Sequence, residues 1–262
     1  ARTGGPNASD DFGFNTGGAS FIVSGGNLQD GGQTFATYTN NAGTLTVNVT
    51  SSVATATTAL INDVLQHITY QNSSNDPASS VQLDWSFSDG NSGDAQGTGP
   101  NPGTGTGSVT VSITNVNDAP TLSATGLDPT YIEGAAAADL YSGPAANTVE
   151  TTNTADRFAS MSLTVTNVSE GANEILNIDG SDVALTNGNS VNTANHNLTV
   201  NVSLSGSTAT VDFSGASLTN AQMQTLVDGL GYRNTSENPT TAGNRVVTIT
   251  NITDDGGTAN GG

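Results

Sequence analysis

The side chains best suited to chemistry in this sequence are carboxylates and amides that stand where predicted strands end. Alternating Val and Ile residues predict a half-buried β-strand over 108–114. Asn117 and Asp118 follow this strand and offer three side-chain oxygens just before Pro120. Calcium prefers about six to eight hard oxygen ligands in flexible geometry, and Asp, Asn and backbone carbonyls supply them. The pattern therefore predicts an oxygen-lined cation site at this position.

Two further acidic turns repeat this arrangement. Asp89 and Asn91 follow a predicted strand over 81–87. Asp254 and Asp255 occupy the matching turn in the second half of the chain. Each turn is interpreted either as part of a calcium site or as an ordinary solvated acidic turn. Zinc and copper sites are disfavoured, because the chain has no cysteine and only two histidines.

The charge balance disfavours whole classes of partner. The chain of 262 residues has 23 acidic residues against four arginines and no lysine, which gives a formal net charge of −19. So few cationic side chains cannot neutralise many phosphates, and nucleic acid and anionic membrane surfaces are disfavoured as partners. No apolar run is long enough to span a bilayer, so membrane insertion is not expected. The charge is then interpreted as a solvated surface or as a set of divalent cation sites.

Catalysis is not expected from this sequence. His67 lies off the apolar stripe of a predicted helix, and His196 lies in a predicted loop with no acidic neighbour nearby. No nucleophile elbow or comparable signature accompanies either histidine. We therefore predict a protein that is not an enzyme.

Strand-like alternation and two short helical stripes define the predicted fold. Apolar residues spaced as on an amphipathic helix occur over 60–68 and again over 218–230. The segment 232–239 repeats the segment 70–77 with a constant offset of 162 residues. Such an in-register repeat predicts an all-β protein of two tandem Greek-key β-sandwiches, each with one short helix.

The two predicted domains cover 1–117 and 118–262. The first has about 20 residues before its motif at Phe21, whereas the second has roughly 55 before the matching motif at Leu176. The first also has a strand after its acidic turn that the second does not repeat. The sequence therefore predicts that the first sandwich lacks its N-terminal strands and the second lacks its last strand.

Several motifs of the chain occur together in one known family. They are Asn-Asp-Ala-Pro at 117–120, Tyr-Ile-Glu-Gly at 131–134, Asn-Glu-Ile-Leu-Asn-Ile-Asp-Gly at 173–180, and the 232–239 block followed by Asp-Asp-Gly-Gly at 254–257. In combination these motifs resemble the cadherin-like tandem repeats of large calcium-binding bacterial surface proteins, the RTX-type adhesins. The resemblance implies calcium-stiffened sandwiches of the cadherin or immunoglobulin type, joined by a calcium-binding linker.

The resemblance also implies ligands and a role. Asn117 and Asp118 correspond to linker ligands, and Glu133 corresponds to the glutamate of the first strand. Asp156 is the one acidic residue of 151–156, where such repeats carry a second acidic pair. The implied function is an extracellular calcium-binding structural or adhesive module at the bacterial cell surface, which acts as a stiff spacer. Its partners would be neighbouring repeats or other copies of the chain.

Two other functions are consistent with the sequence. Incomplete sandwiches would suit a self-assembling extracellular filament, in which each copy completes its neighbour by strand exchange. A module that binds a cell-surface glycan would need exposed aromatic side chains, and Trp85 is instead predicted to lie in the core. The state of the chain ends distinguishes a spacer from a filament subunit.

Overall fold

A computed structural model of the protein describes four stretches of the chain, namely 1–50, 55–90, 103–150 and 156–257. Antiparallel β-strands dominate, and the two α-helices are short, so the predicted all-β sandwich class is confirmed. The chain divides into two compact units, Ala1–Asn115 and Val116–Gly262. Within the described stretches, no helix is long and apolar enough to cross a membrane.

The described part of the first unit contains eight strands and one helix. They are β1 (Asp10–Phe14), β2 (Ile22–Ser24), β3 (Asn27–Asp30), β4 (Gln33–Asn41), β5 (Thr44–Val49), α1 (Thr58–Gln66), β6 (Ile68–Asn72), β7 (Ser80–Ser88) and β8 (Thr104–Ser112). Strands β2, β3, β4 and β5 form one antiparallel sheet in that order, while β1 pairs with β6 and β7 pairs with β8. The turn between β2 and β3 is Gly25-Gly26, and both residues have a positive φ that glycine adopts without strain.

The hydrophobic core of the first unit is small. Helix α1 begins after Thr57, whose side chain accepts a hydrogen bond from the Leu60 N–H at 3.2 Å. Leu60 and Val64 are the buried residues of this helix. They pack against buried side chains that lie in the four-stranded sheet or directly next to it. These are Phe21, Leu28, Phe35 and Ala36.

Trp85 does not lie in the core, and that prediction was wrong. It is 54% exposed on β7, and Phe87 on the same strand is 45% exposed. The Trp85 ring lies over Gly107 of the paired strand β8, because a Cβ atom on that glycine would stand 2.5 Å from the ring. The tryptophan therefore packs on the backbone of the β7–β8 hairpin instead of in the core cluster.

The second unit is larger. Its described elements are β9 (Thr121–Gly126), β10 (Ala138–Asp139), β11 (Tyr141–Asn147), β12 (Phe158–Val165), a 3-10 turn (Gly171–Asn173), β13 (Glu174–Ile178), β14 (Ser181–Ala184), β15 (Ser190–Asn192), β16 (Thr199–Ser205), β17 (Thr208–Ser214), α2 (Asn220–Asp228), β18 (Gly231–Asn234) and β19 (Val247–Asp254). One sheet has the strand order β15-β16-β17-β12-β19, a second has β10-β18-β13-β14, and β9 pairs with β11.

Both larger sheets and helix α2 contribute to one continuous core in the second unit. Every second residue at the end of β12 is buried, as in Met161, Leu163 and Val165. Leu176 of β13 and Met223 of α2 are each 0% exposed and belong to the same cluster. The period-two and helical patterns read from the sequence thus place their apolar faces in the core.

The repeat found in the sequence extends to individual hydrogen bonds. Asn72 Oδ1 accepts a hydrogen bond from the Ser74 N–H at 2.9 Å, and Asn234 Oδ1 accepts one from the Ser236 N–H at the same distance. Helices α1 and α2 also begin 162 residues apart, each with a threonine at its N-cap. The two units therefore share local chemistry as well as sequence register.

Candidate metal centre

Three carboxylates of the second unit meet at one end of its five-stranded sheet. The carboxyl groups of Glu150, Asp156 and Asp254 each offer an oxygen, and these three oxygens lie within 4.8 Å of one another. Glu150 comes shortly after β11, Asp156 comes shortly before β12, and Asp254 ends β19. Strands β12 and β19 are neighbours, with Phe158 opposite Asp254, so the sheet itself brings two of the three acidic side chains together.

Asn117 completes this group with an amide oxygen. Its side chain is 8% exposed, and its Nδ2 donates hydrogen bonds to Asp254 Oδ1 and to the Gly257 carbonyl, both at 3.0 Å. Because the NH₂ group is used in this way, the amide oxygen is directed elsewhere. Asn117, Glu150, Asp156 and Asp254 are called the acidic centre below.

Three oxygens of the acidic centre are buried without a hydrogen-bond partner among the described residues. They are Asn117 Oδ1, Glu150 Oε2 and Asp254 Oδ2. A buried acceptor left without a partner costs about 1–3 kcal/mol, and more when it is charged. Native proteins contain few such atoms, and a bound cation can supply the partner that each of them lacks.

Gly256 lies beside two oxygens of the acidic centre. A Cβ atom on this glycine would stand 2.1 Å from Asn117 Oδ1 and 2.2 Å from Asp156 Oδ2, which is much closer than any van der Waals contact. The two oxygens therefore face the same small space beside the Gly256 backbone. Any residue with a side chain would fill that space.

Backbone groups hold the carboxylates of the acidic centre in fixed orientations. Glu150 Oε1 accepts a hydrogen bond from the Asp118 N–H at 2.7 Å, which leaves Oε2 as the unpartnered oxygen. Asp254 Oδ1 accepts from the Gly256 N–H at 3.1 Å as well as from Asn117, which leaves Oδ2. In each side chain one polar atom is fixed by the protein and the other is available to a ligand, so the centre is preorganised.

The electrostatics of the centre favour a cation. Burial raises the pKa of Glu150, and the charges of Asp156 and Asp118 raise it further, while hydrogen bonds from the backbone N–H groups of Asp118 and Glu150 itself oppose the shift. No salt bridge to Glu150 or Asp254 is found within the described stretches. Among the described residues, Glu150 and Asp254 thus share a partly desolvated site without a salt bridge to balance their charges, which a divalent ion would do.

The predicted site residues of the second unit are only partly brought together. Asn117, Asp156 and Asp254 belong to the acidic centre, whereas Asp118 supplies its backbone N–H and has a half-buried side chain. The exposed Asp255 accepts the Arg157 N–H at 2.8 Å through Oδ1, and its own N–H donates to the Arg157 carbonyl. Asp255 therefore joins the ends of β12 and β19.

The other predicted ligands lie elsewhere. Glu133 is exposed in the turn at 131–134 and is not part of the three-carboxylate group. Asp89 Oδ1 accepts the Gly103 N–H at 3.0 Å, and the Asp89 N–H donates to the Gly103 carbonyl, so these contacts close the β7–β8 hairpin. Asn91 lies outside the described residues.

Glu150 is the member of the acidic centre that was not predicted from the sequence. A second acidic pair was expected within 151–156, where Asp156 is the only acidic residue. Glu150 stands directly before that window, and Glu150 and Asp156 both lie in the connection between β11 and β12. A window wider by one residue would have included it.

A separate correction concerns His196. It was expected to have no acidic neighbour, but its Nδ1 lies 2.7 Å from Asp179 Oδ1 and its backbone N–H donates to Asp179 Oδ2 at 2.9 Å. Thr193 Oγ1 donates to the same carboxylate at 2.5 Å. Asp179 is buried, so the carboxylate organises the loop before β16 through several hydrogen bonds.

Comparison with known proteins adds no family to this description. No family model matches the chain, and no match is found among curated proteins or solved structures. The fold and the acidic centre together define an all-β sandwich protein with an oxygen-lined candidate cation site.

Proposed function

We infer that the chain is a calcium-binding structural module of an extracellular bacterial surface protein, with one ion held by the acidic centre. The observation that carries this proposal is a cluster of oxygen-bearing side chains in which Asn117 Oδ1, Glu150 Oε2 and Asp254 Oδ2 are buried without a hydrogen-bond partner among the described residues. Asn117, Glu150, Asp156 and Asp254 would bind the ion directly. The motifs that resemble cadherin-like bacterial repeats support the structural and extracellular role.

Calcium is the cation that best fits these ligands. Carboxylate and amide oxygens are hard ligands, and the centre contains no nitrogen or sulfur ligand of the kind that zinc and copper prefer. Magnesium requires near-ideal octahedral geometry and keeps several waters, whereas calcium accepts a protein cage of irregular shape. The mixed origin of the ligands, from loops and a strand end, favours the more tolerant ion.

The positions of the ligands in the chain indicate what the ion would do. Asn117 lies where the chain enters the second unit, Glu150 and Asp156 flank one connection, and Asp254 ends the last described strand. One ion would therefore cross-link three segments that are far apart in sequence. Extracellular calcium modules bind in the range of about 10⁻⁴–10⁻³ M, which suits a permanent structural ion outside the cell.

Gly256→Ala should remove calcium binding at the acidic centre. The new methyl group would overlap Asn117 Oδ1 and Asp156 Oδ2, so we expect the calcium affinity of this site to fall at least about tenfold. Isothermal titration calorimetry of the 262-residue chain should then show one site fewer than for the wild type. Gly126→Ala is the matched control, because its Cβ atom would meet nothing within 4 Å and its φ is ordinary. Equal binding by both variants would contradict the proposed site.

The effect of calcium should also depend on pH. Because the folded, ion-free protein has a raised Glu150 pKa, it binds a proton more readily than the unfolded chain, and its stability rises as the pH falls towards that pKa. Calcium requires the deprotonated carboxylate, so proton and ion compete. The difference in melting temperature between calcium-containing buffer and buffer freed of calcium by dialysis and a chelating resin should therefore shrink as the pH is lowered from about 7.5 to about 5. Glu150→Gln should flatten this dependence, and a difference that grew on acidification would contradict the assignment of Glu150.

A further inference from the structure

The side chain of Asn220, the first residue of α2, is bonded to the segment that leads to Glu150 of the acidic centre. Its Oδ1 accepts a hydrogen bond from the Thr148 N–H at 3.1 Å, and its Nδ2 donates to Asn147 Oδ1 at 3.2 Å. The acceptor and the donor of one amide are thus both used by two consecutive residues that stand just before Glu150 in the chain.

Helix α2 does not need an asparagine at this position. Its N-cap is Thr219, whose side chain accepts the Gln222 N–H at 3.2 Å, while Gln222 Oε1 accepts the Thr219 N–H at 2.9 Å. Helix α1, which begins 162 residues earlier, has Thr58 as its first residue. Asparagine is also a weaker helix former than alanine or leucine. The amide of Asn220 is therefore explained by its bonds to 147–148 and not by the start of the helix.

Thr148 extends this contact to the second carboxylate of the β11–β12 connection. It is 1% exposed, and its Oγ1 donates to the Asp156 carbonyl at 3.2 Å and lies 3.3 Å from Asn220 Oδ1. The Asp156 N–H in turn donates to the Glu150 carbonyl at 3.2 Å. The backbone at both acidic residues is thus connected through hydrogen bonds to one side chain of α2.

The turn from Thr148 to Glu150 is strained. The Glu150 N–H donates to the Thr148 carbonyl at 2.9 Å, and Val149 between them has a φ of +73°, which makes this the rarer and strained form of the γ-turn. A β-branched residue rarely adopts a positive φ, and such strain persists only where the surroundings over-determine it. Asn220 holds Thr148 at one end of the turn, and the Asp118 N–H holds the Glu150 carboxylate at the other. Without Asn220 we expect the turn to relax and Glu150 to lose its orientation.

We propose that Asn220 is a positioning residue for calcium, which holds Glu150 and Asp156 in the arrangement that the ion requires. The role rests on the function proposed above, and it adds a link between ion binding and helix α2. Removal of such outer hydrogen-bond partners typically lowers metal affinity about 10–100-fold. Because binding linkage is reciprocal, a bound ion would also stabilise the contact between α2 and the β11–β12 connection.

Asn220→Ala should weaken calcium binding at the acidic centre at least about tenfold. The variant leaves the buried Thr148 N–H without its partner, while alanine favours the helical conformation of α2 itself. Isothermal titration of the full 262-residue chain with calcium chloride measures the dissociation constant of the folded protein, which a general loss of stability does not change. Thr225→Ala is the matched control, because this exposed residue of α2 bonds through its side chain only to Ala221 of the same helix.

The hydroxyl of Thr148 allows a second test that leaves α2 unaltered. Thr148→Val keeps the shape of the side chain but cannot donate to the Asp156 carbonyl, so the calcium affinity should fall about fivefold. Thr148→Ser retains the hydroxyl and should recover most of this loss. This pair decides the question if Asn220→Ala does not fold. Amide hydrogen exchange adds a direct readout, since calcium should slow exchange of the Thr148 and Glu150 N–H groups in the wild type and not in Asn220→Ala.

The results distinguish a failed positioning role from a failed calcium site. If the wild type binds no calcium, the proposed function is wrong and the role of Asn220 with it. If the wild type binds calcium but Asn220→Ala and Thr148→Val bind it equally well, only the positioning role is overturned. Equal losses in Asn220→Ala and Thr225→Ala, or in Thr148→Val and Thr148→Ser, would also overturn it, because helix stability or packing would then be the cause.

Discussion

Removal of calcium should lower the stability of the second unit by about 3 kcal/mol. A ligand that binds only the folded state stabilises it by RT ln(1 + [L]/Kd), which is about 2.7 kcal/mol when calcium exceeds Kd a hundredfold. Part of this stabilisation comes from the partners that the ion gives to the three buried oxygens. Differential scanning calorimetry in excess calcium and in EGTA should therefore show a lower melting temperature for the second unit without the ion. Restored calcium should return the original value.

Two controls separate this effect from a general response to salt. Magnesium at the same concentration should restore less of the lost stability, since magnesium demands near-ideal octahedral geometry and the ligands here come from loops and a strand end. The Gly256→Ala variant should melt at a temperature that is independent of calcium, while Gly126→Ala should respond like the wild type. If the wild type melts identically in calcium and in EGTA, the ion is not part of the folded unit.

The fold class could be predicted because it depends on local periodicity. Strand alternation and helical spacing are determined by which side of an element is buried, and both patterns are short-range properties of the sequence. The internal repeat added long-range information, since one offset of 162 residues relates both helices and the segments 70–77 and 232–239 that follow them. Where the environment of a residue depends on distant segments, the prediction was less successful. Trp85 alternates like a core residue, but whether a strand face is covered is not a property of that strand.

The acidic centre shows the same division between local and distant information. Asp254 and Asp255 are adjacent and chemically alike, and both were predicted ligands. Asp254 is the last residue of β19 and is 7% exposed, whereas Asp255 follows the strand, is exposed and is bonded to Arg157. Residue type could therefore predict an acidic turn at this position. Only the pairing of β19 with β12 shows which of the two aspartates belongs to the acidic centre. Glu150 was missed for a related reason, because its place in the centre depends on the β11–β12 connection.

A stability effect as large as that of calcium is expected at a second buried group of the same unit. Glu174 is 0% exposed, and Arg245 Nε donates to its Oε1 at 2.7 Å while a second Arg245 nitrogen contacts the same oxygen. The Ser169 N–H donates to Glu174 Oε2 at 3.1 Å, so both carboxylate oxygens have partners. The Arg245 side chain is only 10% exposed and also donates to the Gly243 carbonyl at 3.1 Å. The ion pair thus lies in a poorly solvated site, in which Glu170 Oε2 also lies 3.5 Å from Arg245 Nη2.

Arg245→Met should therefore destabilise the second unit by about 3–5 kcal/mol, because it leaves the Glu174 carboxylate buried without its counter-ion. Methionine keeps most of the length and apolar volume of the arginine, so lost packing contributes little. Urea unfolding, with the transition of the second unit followed by circular dichroism, measures the change in the free energy of unfolding. Glu174→Gln combined with Arg245→Met should recover part of the loss, since the uncompensated charge is then removed.

Arg233→Met is the matched control, because it removes an arginine from an exposed ion pair of the same unit. Arg233 and Asp182 also form an ion pair, but their side chains are 34% and 46% exposed, so water can solvate either charge when the other is removed. An exposed pair of this kind contributes at most about 1 kcal/mol. Arg233→Met should thus cost only a fraction of what Arg245→Met costs, although both substitutions remove one arginine from the same unit. Equal losses for the two variants would mean that net charge, and not burial of the carboxylate, governs the effect. Under that explanation the double variant would recover the whole loss, because it removes one charge of each sign and so restores the net charge of the wild type.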